Sequence, residues 1–466
     1  MSKVQGAAAN KDRQLGQGNI VKLLFKLAMP AVAAQLVNIL YNIVDRMYIG
    51  HMPGVGGIAL TGVGVSMPVI LIISAFSSLM GMGAAPRASI AMGAGDREEA
   101  EHILGNSLTF LLLLSFVLTA AFLLCGKDVL WLFGASENTI DYAWDYLFIY
   151  VLGSVFVQLT LGLNAFIMAQ GFAATSMMTV LIGAALNIAL DPIFIFVLGM
   201  GVKGAALATI LSQAVSALWV VVFLLGKKTT WRIRLRNLRL SPRVILPCLT
   251  LGLSPFIMQF TESIINLAFN TSLLRYGGDV AVGTMTILFS IKQFSKLPML
   301  GFTQGAQPII SYNYGARNGE RVRKAFRTLL TLCMTHGVLF WLVIMLFPQI
   351  FPLMFTKDPA ILAKATWAVR IYFSVNLIFG IQIACQQTFI AIGNARSSIF
   401  LALLRKIILV LPLIYLLPVF FSDKVFAIIL AEPVADVIAV LTTAILFYKQ
   451  FNSRVKRLGA CPAENP

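Results

Sequence analysis

The chain has 466 residues, of which 58% are hydrophobic and only 12% are charged, yet its formal net charge is +17. An ordinary soluble domain carries about 25% charged residues, so this composition excludes that class of protein. Apolar stretches of about 20 residues, long enough to cross roughly 30 Å of hydrocarbon, recur along the chain. They predict a multi-pass membrane protein.

Twelve transmembrane helices are predicted, which gives an all-α fold. Their expected ranges are 23–49, 59–84, 98–126, 140–169, 174–199, 203–226, 244–275, 282–307, 320–348, 360–390, 396–418 and 424–448. The predicted domains are two pseudo-symmetric six-helix lobes around a central cavity, joined by a linker and flanked by tails. They comprise an N-terminal tail (1–19), an N-lobe (20–226), a basic linker (227–243), a C-lobe (244–448) and a C-terminal tail (449–466).

The basic residues are concentrated in a few short connections. Residues 227–243 contain seven lysine or arginine side chains and no acid. An excess of basic residues in short loops marks the cytoplasmic side of a membrane protein, so the linker and both tails are expected there. The positive charge therefore indicates topology and contact with membrane lipids, and we expect no nucleic-acid partner.

An internal repeat relates the two lobes. The segment PRASIAMGAGDREEAEHIL, which begins at Pro86, returns as PIISYNYGARNGERVRKAF at Pro308, 222 residues later. Pro30 in the first helix likewise returns as Pro255 in the seventh. Internal repeats of this size are typical of secondary transporters.

Prolines inside predicted helices each remove a backbone hydrogen bond and favour a kink. Among them are Pro30, Pro192, Pro255 and Pro412. One interpretation is that the kinks only shape helix packing. The other is that they act as hinges that bend when a nearby acid changes its state.

The first helix carries a polar face. Gln35, Asn38, Asn42 and Asp45 follow one another at intervals of three, four and three residues, so they share one side of the helix. In a lipid environment such a face must point into protein or water. We therefore expect these residues to line the cavity or a site beside it.

Polar side chains on two further helices are predicted to lie at a similar depth. Asn187 and Asp191 are one turn apart on the fifth helix, and Thr209 is on the sixth. At about 1.5 Å per residue, Asp45, Asp191 and Thr209 lie roughly 7 to 12 Å inside the outer ends of their helices. In the C-lobe repeat, leucines replace both Asn187 and Asp191.

A buried carboxylate needs a neutralising partner, because a charge at the helix centre costs about 2.5–3.5 kcal/mol. Carboxylate, amide and hydroxyl oxygens suit a hard cation such as Na⁺, and protonation is the second way to neutralise the acids. A packed polar network that only fixes helix positions is the alternative interpretation.

The C-lobe contains mixed charges. Glu262 is expected to pair with Lys292 or Lys296, and a cationic substrate competing for Glu262 is the second interpretation. Met258 is included among the candidate cavity residues. The sequence contains no Walker A motif and no catalytic or metal-ligand spacing, so we predict neither an enzyme nor a cofactor, apart from Na⁺ or H⁺ as a coupling ion.

The segments LYNIVDRMYIG, LNIALDPIFIF and QPIISYNYGARNGERVRKAF resemble the multidrug and toxic compound extrusion (MATE) family, and most of all its MepA-like bacterial branch. The resemblance covers about residues 20–450. It implies an antiporter that exports amphipathic, usually cationic compounds in exchange for Na⁺ or H⁺. It also implies a multi-pass protein of the bacterial inner (plasma) membrane, which we expect to be a monomer.

The resemblance also implies roles for individual residues. The family's N-lobe cation site matches Asp45, Asn187, Asp191 and Thr209, and its first-helix kink proline matches Pro30. Cavity positions match Asn38 and Asn164, and a helix-seven glutamate used in some branches corresponds to Glu262. Many members have threonine where this chain has Arg46.

The leading functional hypothesis is therefore a cation-coupled multidrug exporter. A flippase for lipid-linked precursors of the same superfamily is the alternative, and it would be expected to line its cavity with basic residues. A membrane enzyme or receptor without transport is the third hypothesis.

Overall fold

The structure is a computed structural model, and it describes residues 13–356 and 358–460. The described residues are overwhelmingly helical, as predicted. The parts of the predicted tails at residues 1–12 and 461–466 lie outside the described residues.

The helices follow the predicted order, and most extend beyond their predicted ends, whereas α5, α6 and α9 end earlier than predicted. Their bounds are α1 Ile20–Gly50, α2 Gly56–Gly93, α3 Arg97–Leu132, α4 Ile140–Leu152 with Ser154–Ala169, α5 Ala173–Pro192, α6 Gly201–Leu225, α7 and α8 within Pro242–Gly315, α9 Gly319–Leu346, α10 Pro359–Tyr372 with Asn376–Ala391, α11 Ala395–Phe420 and α12 Lys424–Ala460. A short helix, Ile350–Leu353, lies between α9 and α10. We keep the terms N-lobe for α1–α6 and C-lobe for α7–α12.

The 74-residue helical segment Pro242–Gly315 is too long for one crossing. At about 1.5 Å per residue it would measure roughly 111 Å, several times the thickness of the hydrocarbon core. Gly278 interrupts it with a φ of 62°, a conformation that favours glycine. The rings of Phe269 and Phe289 on either side of this break are 5.7 Å apart, so the chain reverses at Gly278. We therefore number residues 242–277 as α7 and residues 279–315 as α8.

Nine described helices are long and apolar enough to cross a membrane, and two bent pairs, which form α4 and α10, could each cross once. If α7 and α8 are counted separately and each bent pair crosses once, the described residues allow up to twelve crossings. The pairs bend by 58° in α4 and 54° in α10, where one uninterrupted range was predicted for each helix. The bends are repeat-related, because Gly153 and Val375 are 222 residues apart.

Two helices contain a π-helical turn, which sequence periodicity does not reveal. In α5 the turn Ile193–Val197 directly follows Pro192, and in α11 the turn Leu404–Val410 directly precedes the segment that contains Pro412. Such turns insert an extra residue into the helical ladder and often accompany functional sites.

The lobes touch through glycines near the end of the bundle that carries the basic linker, which we call the basic end. A Cβ atom on Gly252 of α7 would lie 1.7 Å from the Leu79 carbonyl oxygen on α2. One on Gly305 of α8 would lie 2.6 Å from the backbone nitrogen of Ala28 on α1. Because no other residue permits such backbone approaches, the lobes are closely packed at this end.

The N-terminal segment, residues 13–18, is fastened to the C-lobe at the basic end. Arg321 Nη2 donates to the carbonyl oxygens of Leu15 at 3.1 Å and Gly18 at 2.9 Å, and Asn313 Nδ2 donates to Leu15 at 2.9 Å. Leu15 is buried in a hydrophobic cluster that also contains Met168 and Ala173 of the N-lobe. The segment therefore contacts both lobes.

The basic linker is docked on the N-lobe. Gln170 Oε1 accepts hydrogen bonds from the backbone N–H groups of Thr230 at 2.7 Å and Trp231 at 2.9 Å. Arg236 in the linker forms an ion pair of 2.8 Å with Glu98 of α3. The connection between the lobes is thus held in place by the N-lobe.

Candidate cation-binding site

Asn187 links two of the helices that form the N-lobe site. Its Nδ2 donates to Asp191 Oδ1 at 3.1 Å and to Thr209 Oγ1 at 3.3 Å. Asn187 and Asp191 lie one turn apart on α5, so they share a face, and the neighbouring α6 brings Thr209 to the same depth. The three residues therefore form one hydrogen-bonded group, as their predicted depths indicated.

Asp45 adds a third helix to this group. It is buried in α1, and its carboxyl group is within hydrogen-bonding reach of the Asp191 carboxyl group. A hydrogen bond between two carboxyl groups requires a proton on one of them. Arg46 is exposed, as expected for the next residue on a helix, which is turned by about 100°.

The site contains more acceptors than donors. Asp45 Oδ1, Asn187 Oδ1 and Asp191 Oδ2 are buried, and none of them has a hydrogen-bond partner among the described residues. Buried polar atoms in folded proteins are nearly always satisfied, so three orphaned oxygens in one cluster need an explanation. A cation or a proton at this position would satisfy them, and the donor set of carboxylate, amide and hydroxyl oxygens fits a hard cation.

Tyrosine side chains that the sequence analysis did not single out surround the site. The buried Tyr146 of α4 lies close to the Thr209 side chain. Its ring stacks with that of Tyr150 one turn along, at 6.3 Å between centroids. The four-residue spacing of the two tyrosines was the available signal, but aromatic residues at helical spacing are common in apolar cores.

The other polar candidates of the N-lobe are spread out. Asn38 and Asn42 of α1 are exposed, and Asn42 Nδ2 donates to the Asn38 carbonyl oxygen at 2.6 Å. Gln35 is half-buried. Asn164 of α4 accepts a hydrogen bond of 3.1 Å from Thr179 of α5, so it also joins two helices.

Glu262 of α7 forms ion pairs with two lysines. Lys406 of α11 donates to it at 2.5 Å and Lys296 of α8 at 3.5 Å. Lys296 is one of the two predicted partners, whereas Lys292, the other, pairs with Glu432 of α12. Lys406 was not predicted as a partner, because it lies 144 residues from Glu262 and no spacing pattern connects the two residues.

The remaining candidates are the methionine and the prolines. Met258 Sδ accepts a hydrogen bond of 3.1 Å from Gln386 Nε2 of α10. Pro30 and Pro255 lie inside α1 and α7, and Pro192 is the last residue of α5 before its π-helical turn. Asp191 is therefore adjacent to a position where the helical geometry changes.

Comparisons with known proteins agree with this architecture. The sequence profile of the MatE family matches residues 30–193 and again residues 255–416, so each matched segment begins at one of the repeat-related prolines. The multidrug export protein MepA of Staphylococcus haemolyticus (strain JCSC1435) is 25% identical over 434 residues, which are 92% of this chain and 95% of the relative.

Two solved structures are similar over nearly their whole length. A crystal structure of MATE in the bent conformation has a TM-score of 0.90 at 25% identity, covering 96% of this chain and 99% of that chain. The MATE multidrug transporter DinF-BH in complex with R6G has a TM-score of 0.85 at 34% identity, covering 92% and 95%.

Proposed function

Because this chain belongs to the MatE family, we propose that it is a secondary active multidrug efflux transporter. It exports amphipathic, mostly cationic compounds in exchange for Na⁺ or H⁺. Relatives named as multidrug export proteins match over more than nine-tenths of the chain and support the efflux function. In this proposal the protein is a monomer that crosses the bacterial plasma membrane several times. It performs transport and no catalysis.

The coupling ion binds at Asp45, Asn187, Asp191 and Thr209. The observation that carries this proposal is the set of three buried oxygens in this cluster that lack a donor among the described residues. When Na⁺ binds, both carboxylates and the amide oxygen become ligands. When H⁺ binds, one carboxyl group donates to the other, which neutralises the charge by a different route.

Transport follows from alternating access of the two lobes. The glycine contacts at the basic end are consistent with a state that is closed on that side. By the distribution of basic residues, that side is the cytoplasm, which makes this an outward-facing arrangement. Pro30, Pro192 and Pro255 are the proposed hinges, and Pro192 is next to Asp191, so loading of the site can change the local helix geometry.

The alternative, a flippase for lipid-linked precursors, is less well supported. A pyrophosphate-linked substrate would need a strongly basic lining. The N-lobe instead presents Asp45 and Asp191, and the neighbouring Arg46 is exposed on another side of α1.

The test is transport in proteoliposomes with an imposed Na⁺ or H⁺ gradient and a fluorescent cationic dye. One of the two gradients should drive dye movement, and Asp191→Asn should abolish it. Asp145→Asn is the matched control, since Asp145 is a part-exposed aspartate of the same lobe that pairs with Lys203 at 3.4 Å. Gradient-driven transport by the double variant Asp45→Asn, Asp191→Asn would refute the coupling site.

A further inference from the structure

Seven charged side chains lie together inside the C-lobe, and they form two groups. In the first group, Glu432 and Asp436 of α12 are matched by two cations. Arg405 donates to Glu432 at 2.8 Å and to Asp436 at 2.6 Å, and Lys292 completes the pairing with Glu432. Two acids face two bases, so the formal charge of this group is balanced.

The second group is not balanced. Glu262 is its single carboxylate, and the ammonium groups of Lys406 and Lys296 share it at 2.5 and 3.5 Å. Two bases and one acid leave one excess formal positive charge within the membrane-spanning part of the lobe. An unpaired charge there is costly, and ionisable residues at such depth usually serve a substrate or an ion.

Lys296 is the lysine that carries the excess charge. Lys406 has a side chain that is only 1% exposed and makes the shorter contact, so Glu262 is its partner. The Lys296 side chain is 22% exposed, and that of Glu262 is 34% exposed. Charged groups at this depth avoid lipid, so their exposed parts face a space that water can enter.

The depth of this pair agrees on both helices. At about 1.5 Å per residue, Glu262 and Lys296 lie roughly 24 and 27 Å from the reversal at Gly278. Both side chains therefore lie far inside their helices, at a similar depth in the membrane-spanning part of the lobe.

Two of these cations are neighbours in the π-helical turn of α11. Arg405 and Lys406 are consecutive residues within the turn Leu404–Val410, and because consecutive helical residues point in different directions, Arg405 contacts the acids of α12 and Lys406 contacts Glu262 of α7. The turn thus delivers one cation to each group. Lys406 occupies one side of Glu262, which leaves Lys296 without a carboxylate of its own.

We propose that Lys296, with Glu262 beside it, forms a subsite for a zwitterionic amphiphile. Lys296 binds the substrate carboxylate and Glu262 attracts its cationic part. The proposal rests on the efflux function above and adds carboxylate-bearing zwitterions to its substrates. A dianionic group such as a phosphate monoester fits less well, because Glu262 would repel it.

The test is dye binding to the purified full-length protein in detergent, without any gradient. Rhodamine 110 carries a free carboxylate, and rhodamine 123 is its methyl ester, so the two dyes differ only at the group in question. Lys296→Gln should weaken rhodamine 110 binding roughly tenfold, the loss expected for one charge-assisted hydrogen bond, and should not weaken rhodamine 123 binding, because Glu262 remains to attract the cation. Lys296→Arg should keep the affinity for rhodamine 110. Lys203→Gln, at an exposed lysine of the N-lobe, is the control and should change neither dye.

The outcomes separate this subsite from the efflux function. Equal affinity of wild-type and Lys296→Gln protein for rhodamine 110 would overturn the subsite alone, with rhodamine 123 binding as the check that the variant is folded. Equal losses for both dyes would also overturn it, because the carboxylate would then not be the recognised group. Wild-type protein that binds neither dye would overturn the efflux proposal together with the subsite.

Discussion

Replacing Gly252 by alanine should shift the protein away from the arrangement in which the lobes are closed at the basic end. The added Cβ would lie 1.7 Å from the Leu79 carbonyl oxygen, whereas ordinary van der Waals contact begins at 3.4 Å. The obstacle is backbone, so it cannot yield as a flexible side chain would. The helices must instead separate by roughly 2 Å, and overpacking of this kind costs about 1–3 kcal/mol. That cost corresponds to a shift of about 5- to 150-fold between two states.

The shift can be measured by electron–electron resonance between spin labels on the two lobes. Lys228 on the linker docked to the N-lobe and Lys324 on α9 are exposed labelling sites at the basic end, for use in a cysteine-free background. Gly252→Ala should increase the population with the longer distance. Gly64→Ala is the control, because a Cβ there would meet nothing within 4 Å. An unchanged distance distribution for Gly252→Ala would refute the inference that this glycine contact closes the lobes.

Three further predictions concern other contacts. Asn187→Leu copies the C-lobe repeat and removes the amide that joins α5 to Thr209, so it should reduce ion-driven transport in proteoliposomes at least tenfold. Full transport activity of this variant would contradict the assigned ligand set. Glu432→Gln breaks the buried ion pair with Arg405 and should lower the midpoint of thermal unfolding in detergent, since such a break costs about 3–5 kcal/mol. An unchanged midpoint would show that this ion pair does not stabilise the fold. Arg321→Ala removes the two hydrogen bonds that hold the carbonyl oxygens of the N-terminal segment, so this segment should become more sensitive to limited proteolysis. Equal cleavage rates of variant and wild type would show that Arg321 does not fasten the segment.

Local patterns in the sequence were sufficient to predict the helices and the N-lobe cluster. Apolar stretches of membrane-spanning length predicted the spans, and the four-residue spacing of Asn187 and Asp191 predicted their shared face, which their hydrogen bond reflects. Depth counted from the outer ends of α1 and α6 indicated that Asp45 and Thr209 lie near Asn187 and Asp191. These features depend on the geometry of a single helix, which the sequence specifies directly.

Contacts between distant helices could not be predicted in the same way. The choice of Lys406 over Lys292 as a partner of Glu262 depends on how α7, α8 and α11 pack against one another. The glycine contact of Gly252 with Leu79 depends on how the lobes meet, and the position of Tyr146 near Thr209 depends on how α4 packs against α6. Each of these depends on tertiary packing, which a repeat or a spacing does not encode.

The cluster of Asp45, Asn187, Asp191 and Thr209 is proposed to bind the coupling ion. The most direct test is ion binding by the purified protein, measured as uptake of radioactive Na⁺ and as proton release into a weakly buffered solution. Wild-type protein should either bind Na⁺ or release protons when a cationic dye is added, and the double variant Asp45→Asn, Asp191→Asn should do neither. A double variant that binds Na⁺ or releases protons as the wild type does would contradict the claim.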